Sequence, residues 1–217
     1  MRAVVFDLDG TLVDSAPAIR EIAARLLDEL GAAPLTLDET RAFIGSGAAV
    51  FTRRALAARG LPDDEAAAAA AHARFEALYA AAPGEANRPF PGAEEALDAM
   101  AAAGLPLGLC TNKPLAPTRN VLDALGWADR FGAVIAGDSL PVRKPDPAAL
   151  RAALDGLGAG DALYVGDSET DEATARAAGL PFALHVHGYR RKPAEAFDAA
   201  LVFDDFAALT DWTLRRD

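Results

Sequence analysis

Apolar residues recur with two different periods along this chain. Between about residue 15 and residue 85 they follow the three-to-four-residue spacing of amphipathic helices, and no alternating strand pattern interrupts them. This spacing predicts helices over residues 19–30, 50–59 and 63–82, the last opened by acidic side chains that suit a helix N-terminus. This part of the chain is therefore predicted to be all-helical.

From Pro89 onward, short apolar runs alternate with helical patterns. Strands are predicted over residues 3–6, 105–110, 133–136, 162–165, 182–186 and 200–203. Helices are predicted between the later strands, over residues 92–103, 116–125, 147–157 and 172–178. Strands that alternate with helices are typical of a parallel, doubly wound sheet.

Together the two patterns predict an α/β fold with a doubly wound, Rossmann-like parallel sheet core and an inserted all-helical cap domain. The core would comprise residues 1–14 and 86–217, and the cap would comprise residues 15–85. An insert that follows the first strand lies above the carboxyl ends of the strands, where it is well placed to act as a lid.

Composition narrows the classes of partner. The 217-residue chain carries a net charge of −11, which argues against nucleic-acid binding because such proteins cluster Lys and Arg. No apolar run approaches the ~20 residues of a membrane span, so we expect no membrane association. Acidic residues interrupt the apolar run within residues 1–12, so we expect no signal peptide. The single cysteine, Cys110, allows no intramolecular disulfide and fits a reducing cytoplasm. We expect a monomer or a homodimer.

The first predicted strand ends in two carboxylates. Residues 4–15 read VVFDLDGTLVDS, so Asp7 and Asp9 directly follow the apolar run. Ligands of α/β sheets bind at the carboxyl ends of the strands, which makes this pair a candidate site. A polar strand end is the plain alternative. A calcium-binding loop fits less well, because its spaced ligands, central glycine and terminal glutamate are not in register from Asp7.

Three later strands are also followed by side chains that could take part in chemistry. In chain order these are Thr111, Asn112, Lys113, Lys144, Asp167 and Asp171. Each set alone could be a helix cap or an ordinary turn. Since parallel strands end at one edge of the sheet, we expect all of them to converge with the first pair of aspartates.

Four aspartates brought together would repel one another. Two unit charges ~4 Å apart cost about 4 kcal/mol at an effective dielectric constant of ~20, and a bound cation would relieve this cost. Oxygen ligands without histidine or cysteine favour Mg²⁺, which often shares a substrate phosphate. Only three of the 21 basic residues are lysines, so Lys113 and Lys144 in strand-end loops suit a phosphate. We therefore expect Mg²⁺ and a small phosphorylated metabolite.

These motifs resemble those of the haloacid dehalogenase superfamily over nearly the whole chain. DLDGTLVDS at residues 7–15 looks like its first motif, Thr111 its second, Lys144 its third, and GDSETD at residues 166–171 its fourth. The resemblance implies a Mg²⁺-dependent phosphatase that forms an aspartyl-phosphate. The true dehalogenases of the superfamily have no second aspartate in the first motif, so Asp9 argues against dehalogenation.

The resemblance also implies a role for each matched residue. Asp7 would attack phosphorus, and Asp9 would protonate the leaving alkoxide and then deprotonate water. The metal would be held by Asp7, the backbone carbonyl of Asp9, and Asp167, with Asp171 supporting a metal-bound water. The remaining phosphoryl oxygens would be held by Thr111, Asn112 and Lys144.

Three segments look like phosphoglycolate phosphatase within the superfamily: CTNKP at residues 110–114, RKPDP at 143–147 and FIGSG at 43–47. They suggest 2-phosphoglycolate as the substrate, and candidate substrate or cap contacts at Gly45, Ser46, Gly47 and Lys113. A pyrophosphatase, a sugar-phosphate phosphatase or phosphomutase, and a non-catalytic phosphate-binding module are the alternatives. The basic run YRRK at residues 189–192 has no assigned role.

Overall fold

The computed structural model describes residues 2–215. Within these residues the strands are β1 (Arg2–Phe6), β2 (Val13–Asp14), β3 (Arg88–Pro89), β4 (Leu107–Cys110), β5 (Ala133–Ile135), β6 (Asp161–Gly166), β7 (Phe182–His185) and β8 (Leu201–Phe203). The α-helices are α1 (Ala16–Glu29), α2 (Leu37–Phe43), α3 (Ala48–Ala58), α4 (Glu65–Ala80), α5 (Ala93–Ala102), α6 (Leu115–Ala124), α7 (Pro147–Leu157), α8 (Glu169–Ala178) and α9 (Phe206–Leu214). None of the helices in this range is long and apolar enough to cross a membrane.

A parallel sheet forms the centre of the fold. Its strand order is β5-β4-β1-β6-β7-β8. In β1, Phe6 pairs with Leu109 of β4 on one side and with Val165 of β6 on the other. The residues that follow these three strands therefore meet at one edge of the sheet, beside the point where the strand order reverses. The predicted doubly wound α/β fold is confirmed.

Helices cover both faces of this sheet, because successive strand side chains point to opposite faces. Val4 and Phe6 belong to a hydrophobic cluster that includes Leu97 of α5. Val5 belongs to a second cluster with Leu150 of α7. With both of its faces buried, β1 reads as the continuous apolar run seen in the sequence.

Helices α1 to α4 pack around a hydrophobic cluster of their own. Ile22 and Leu26 of α1, Phe51 of α3 and Phe75 of α4 are buried together, and the ring centroids of the two phenylalanines lie 5.2 Å apart. A cap domain requires such a separate cluster. The boundaries at residues 15 and 85 stay a prediction.

The chain enters and leaves this helical segment through two adjacent short strands. β2 and β3 pair antiparallel, with Val13 opposite Pro89 and Asp14 opposite Arg88. The sequence does not predict them, because two-residue strands are too short to show an alternating pattern.

The structure also corrects the start of one predicted helix and contains two helices that the sequence analysis does not predict. Helix α8 begins at Glu169 rather than at residue 172, because Ser168 and Asp171 form a capping box at its start. Helix α2 was not predicted, although its start carries a capping box made by Thr36 and Glu39. Helix α9, at the end of the described chain, was not predicted either.

Candidate active site

Asp7 and Asp9 lie in a tight turn directly after β1, and both line one cavity. Gly10 in this turn has a φ of +85°, and a Cβ on it would come within 2.4 Å of a carboxylate oxygen of Asp167. The position therefore requires glycine. His185 holds the turn from β7: its Nδ1 lies 3.0 Å from the Gly10 carbonyl oxygen, and burial lowers its pKa to about 4, so the ring is neutral.

The ammonium of Lys144 joins two of the aspartates. Its Nζ lies 2.7 Å from Asp171 Oδ1 and 3.0 Å from Asp7 Oδ1, and it donates to the hydroxyl of Tyr164 at 3.0 Å. Burial alone would lower the pKa of Lys144, but the carboxylates of Asp171 and Asp7 outweigh burial and raise it above its usual value. Lys144 is therefore a permanently charged group beneath the site.

The carboxyl group of Asp7 is only partly neutralised. Burial raises its pKa to about 6; Lys144 opposes this rise, and Asp171 and Asp9 add to it. Its Oδ1 makes no hydrogen bond, because the contact with Lys144 has the distance of an ion pair but not the alignment of a hydrogen bond. Buried carboxylate oxygens normally have a hydrogen-bond partner, so the lack of one at Asp7 Oδ1 distinguishes Asp7 from an aspartate with a purely structural role.

Asp167 is oriented by two donors. Its Oδ1 accepts a hydrogen bond from the Thr11 hydroxyl at 3.1 Å, and its Oδ2 accepts one from the backbone N–H of Tyr189 at 2.5 Å. Burial, followed by the charges of Asp171 and Asp7, raises the pKa of Asp167 well above its usual range. The contacts fix this carboxylate without a basic side chain among them.

Asp171 lies in the first turn of α8, and both of its oxygens have partners. Oδ1 accepts from Lys144 Nζ and lies 3.0 Å from the Tyr164 hydroxyl, and Oδ2 accepts from the Ser168 hydroxyl at 2.6 Å. Burial alone would raise the pKa of Asp171, but the charge of Lys144 and these hydrogen bonds lower it. Asp171 is therefore an anion that holds its neighbours in place.

Asp7, Asp167 and Asp171 together fit a divalent cation. Each offers a carboxylate oxygen, and these buried oxygens lie within 4.8 Å of one another. A cation would offset the burial and repulsion that raise the pKa values of Asp7 and Asp167, and it would give the unpartnered Asp7 oxygen a partner. All-oxygen donors of this kind suit a hard metal ion.

The loop after β4 brings Thr111 and Asn112 to the same cavity. The Asn112 Nδ2 donates to the carbonyl oxygens of Lys144 at 3.1 Å and of Gly45 at 3.0 Å, while its Oδ1 is buried without a partner. Thr111 Oγ1 accepts from the Lys113 N–H at 3.2 Å. Asn112 thus joins the Lys144 loop to the helical segment.

Lys113 spans the cavity from the sheet to the helical segment. Its Nζ lies 2.8 Å from Asp9 Oδ1, contacts the hydroxyl of Tyr79 on α4, and lies 4.7 Å from the centroid of the tyrosine ring. Only 1% of the Lys113 side chain is exposed. The carboxylate of Asp9 is thus paired with a lysine of its own and not with Lys144.

The cavity has a volume of about 40 Å³ and two different walls. Apart from Pro114, the residues from the sheet side are polar: Asp7, Asp9, Thr111, Asn112 and Lys113. Residues from the helical segment are mostly apolar: Ile19, Ile44, Gly45, Gly47, Ala48, Phe51, Phe75 and Tyr79. Two predicted contacts, Gly45 and Gly47, are therefore at the cavity, whereas Ser46 between them is not among the residues that line it.

Sequence reasoning missed the tyrosines of the site. The chain has three tyrosines, Tyr79, Tyr164 and Tyr189, and each one contacts a predicted site residue. Buried tyrosines need a partner for the hydroxyl group. That requirement was an available clue for Tyr79 and Tyr164, which meet Lys113 and Lys144 through the hydroxyl, whereas Tyr189 meets Asp167 through its backbone N–H.

Comparison with known proteins identifies the family and the enzyme class of this protein. The haloacid dehalogenase-like hydrolase family model matches residues 1–179, and the chain belongs to this family. It is a phosphoric monoester hydrolase.

Within this class, the chain is similar to proteins named phosphoglycolate phosphatase. The chain is 48% identical over 217 residues to a phosphoglycolate phosphatase from Rhodospirillum rubrum, covering 97% of this chain and 90% of that one. It is 49% identical to one from Cereibacter sphaeroides, covering 100% and 99%. The crystal structure of a predicted phosphoglycolate phosphatase from Haemophilus somnus matches with a TM-score of 0.88 at 29% identity, covering 98% of each chain.

Proposed function

We propose that this protein is a Mg²⁺-dependent phosphatase that hydrolyses 2-phosphoglycolate to glycolate and phosphate through an aspartyl-phosphate on Asp7. One observation carries the proposal: Asp7 and Asp9 line a single small cavity, and each is paired with a different buried lysine, Lys144 at 3.0 Å and Lys113 at 2.8 Å. Relatives named phosphoglycolate phosphatase support the choice of substrate.

The two carboxylates suit a reaction in two steps. In the first, an oxygen of Asp7 bonds to phosphorus, the ester P–O bond breaks, and Asp9 gives its proton to the leaving alkoxide. In the second, Asp9 takes a proton from water, the water oxygen bonds to phosphorus, and the bond to Asp7 breaks to release orthophosphate. Asp9 lies in the cavity for both proton transfers.

The phosphoryl oxygens need donors and positive charge at the Asp7 end of the cavity. Thr111 and Asn112 line the same cavity as Asp7, and Lys144 lies 3.0 Å from the Asp7 carboxylate. Hydrogen-bond donors fixed before the reaction stabilise charge that develops on a transferring group. The burial and ion pairs of Lys144 keep its ammonium fixed in this way.

Mg²⁺ would be held by Asp7, the backbone carbonyl of Asp9, and Asp167, and when bound it supplies positive charge that neutralises the transferring phosphoryl group. Asp171 would support this set rather than supply its main ligand, because Lys144 and Ser168 already occupy its oxygens. The hydrogen bonds that Asp167 accepts hold its carboxylate in one orientation.

We infer that residues 15–85 act as a cap that selects the substrate. The cavity is small, at about 40 Å³, which favours a short substrate. A carboxylate on the substrate would lie beside the buried ammonium of Lys113, which already contacts Tyr79 of the cap. Gly45 and Gly47 line the same cavity. A short, carboxylate-bearing phosphate ester suits this cavity.

The test is orthophosphate release from 2-phosphoglycolate, pyrophosphate, several sugar phosphates and p-nitrophenyl phosphate, each with Mg²⁺ and with EDTA. We expect Mg²⁺-dependent release, with kcat/KM for 2-phosphoglycolate leading by about tenfold or more, which is ~1.4 kcal/mol of transition-state discrimination. A lead by another ester would keep the phosphatase and reject this substrate. A complete absence of release would overturn the proposal in favour of a mutase or a binding module.

A further inference from the structure

The loop that follows β7 joins two parts of the molecule through one residue, Tyr189. Its backbone N–H donates to Asp167 Oδ2 at 2.5 Å. The loop approaches so closely that a Cβ on Gly188 would come within 2.2 Å of the Asp167 Cβ. The loop backbone is therefore fitted directly against a predicted metal ligand.

The side chain of Tyr189 reaches the start of the helical segment. Its hydroxyl accepts hydrogen bonds from the backbone N–H groups of Ser15 and Ala16, both at 2.9 Å, and donates to Asp14 Oδ1 at 2.7 Å. Helix α1 makes no capping hydrogen bond with the side chain of its own N-cap residue, Ser15. A tyrosine more than 170 residues away in sequence therefore caps the first helix of the cap.

Arg191 and Lys192 of the basic run anchor this loop to α8. The backbone N–H groups of Arg191 and Lys192 both donate to Glu169 Oε1 at 2.8 Å. The Lys192 ammonium also pairs with Glu172 at 2.5 Å. Because the loop is held on α8, Tyr189 has little freedom to move independently of Asp167.

We propose that Tyr189 is a positioning residue that couples the orientation of the Asp167 carboxylate to the start of the cap at Ser15 and Ala16. One end of the residue holds the carboxylate and the other end holds the two N–H groups at which the cap begins. Partners that orient a metal ligand typically change metal affinity or activity roughly 10- to 100-fold when they are lost. The run at residues 189–192, which the sequence left without a role, then serves to position Asp167.

Tyr189→Phe tests the coupling, because it removes the hydroxyl and keeps the ring and the backbone N–H. We expect calorimetry with MgCl₂ to show roughly 10-fold weaker binding than in the unaltered protein. The activity readout rests on the proposed function: the Mg²⁺ concentration for half-activation should rise by a similar factor, while KM at saturating Mg²⁺ stays within about twofold.

Asn120→Ala is the matched control. Asn120 Nδ2 donates to the Ala80 and Ala82 carbonyl oxygens, so this variant also removes two hydrogen bonds between the core and the helical segment, but none near Asp167. Its Mg²⁺ affinity should be unchanged. Should Tyr189→Phe not fold, Asp14→Ala removes the acceptor of the hydroxyl and should weaken Mg²⁺ binding in the same direction.

Equal Mg²⁺ affinity in Tyr189→Phe and the unaltered protein, with only a lower melting temperature, would overturn the coupling and leave Tyr189 as a structural residue. The calorimetric comparison does not depend on turnover. If the unaltered protein hydrolysed no phosphate ester, the proposed function would fail while the binding comparison still decided the role of Tyr189.

Discussion

The two buried lysines of the site, Lys144 and Lys113, contact different parts of the molecule. Lys144 contacts Asp7, Asp171 and Tyr164, all of which belong to the sheet, its loops and the flanking helix α8. Lys113 lies between Asp9 on the sheet side and Tyr79 on α4. One lysine is therefore built wholly into the core, and the other is completed only where the core meets the helical segment.

This difference suggests that the two sides of the site serve different purposes, the chemical step on one side and substrate selection on the other. The Lys144 side of the site is a closed network of charges in which Asp171 has both oxygens occupied, as the fixed electrostatics of phosphoryl transfer require. The Lys113 side opens on apolar residues of the helical segment, among them Phe51 and Phe75, which can shape a cavity but supply no charge. Changes on the first side should stop the chemistry, and changes on the second should alter selection.

The largest expected effect lies on the first side, at Asp7. Asp7→Asn keeps the shape of the side chain but removes the proposed nucleophile, so turnover should fall on the order of 10⁴-fold or more. The melting temperature should not fall, because one buried carboxyl with a raised pKa is replaced by a neutral group. Orthophosphate release and a thermal melt measure both, with Asp161→Asn at the exposed start of β6 as control. Normal turnover in the Asp7 variant would exclude it as the nucleophile.

Lys144→Ala should affect both activity and stability. It leaves Asp7 and Asp171 buried without their shared cation, and breaking such a buried pair costs about 3–5 kcal/mol. Turnover should also be lost, because the charge proposed to bind the phosphoryl group disappears. Urea unfolding gives the stability change and steady-state kinetics give the activity. Wild-type values in both would show that Lys144 is dispensable to this network.

The core side of the site was open to prediction because its geometry follows from the sheet. Phe6 pairs with Leu109 and Val165 on neighbouring strands, so side chains just beyond the three strand ends must lie near one another. Patterns of apolar residues locate such strand ends without knowledge of the packing. That is why Asp7 and Asp167 could be placed together from sequence.

The contacts of the tyrosines could not be predicted from the apolar patterns of the sequence. Tyr79 lies on the buried face of α4 beside Phe75, and helical periodicity identifies that face but not what the hydroxyl meets. Tyr189 contacts Asp14 at a separation of 175 residues, across a loop of no regular pattern. Such contacts are set by how elements pack, whereas helix α2 was detectable, since Thr36 and Glu39 form a capping box.

A smaller effect is expected on the second side, at Lys113. Lys113→Met removes the ammonium proposed to bind the substrate carboxylate, so kcat/KM for 2-phosphoglycolate should fall about tenfold more than for p-nitrophenyl phosphate, which has no carboxylate. The ratio matters because loss of the contact with Asp9 lowers both values. Lys113→Arg should restore part of the preference. An unchanged ratio would place the selectivity elsewhere in the cavity.

The smallest effect should come from within the helical segment, far from either lysine. Arg59 Nη2 lies 2.7 Å from Glu39 Oε2, and its hydrogen bonds to Glu39 lead the contacts that lower the pKa of Glu39 to about 2. Because the folded pKa is below the unfolded value, this stabilisation is complete above pH 4.5 and is lost as the pH falls towards 2.

Glu39→Gln should therefore lower the free energy of unfolding by up to about 1 kcal/mol at neutral pH, as surface ion pairs do, and the difference should vanish near pH 2. Urea unfolding at several pH values measures it, with Asp38→Asn as the control because that neighbouring side chain is 97% exposed. Since neither residue lines the cavity, kcat/KM should stay unchanged. A change in kcat/KM in Glu39→Gln would mean that the stability of the helical segment and the chemistry of the core are not separate.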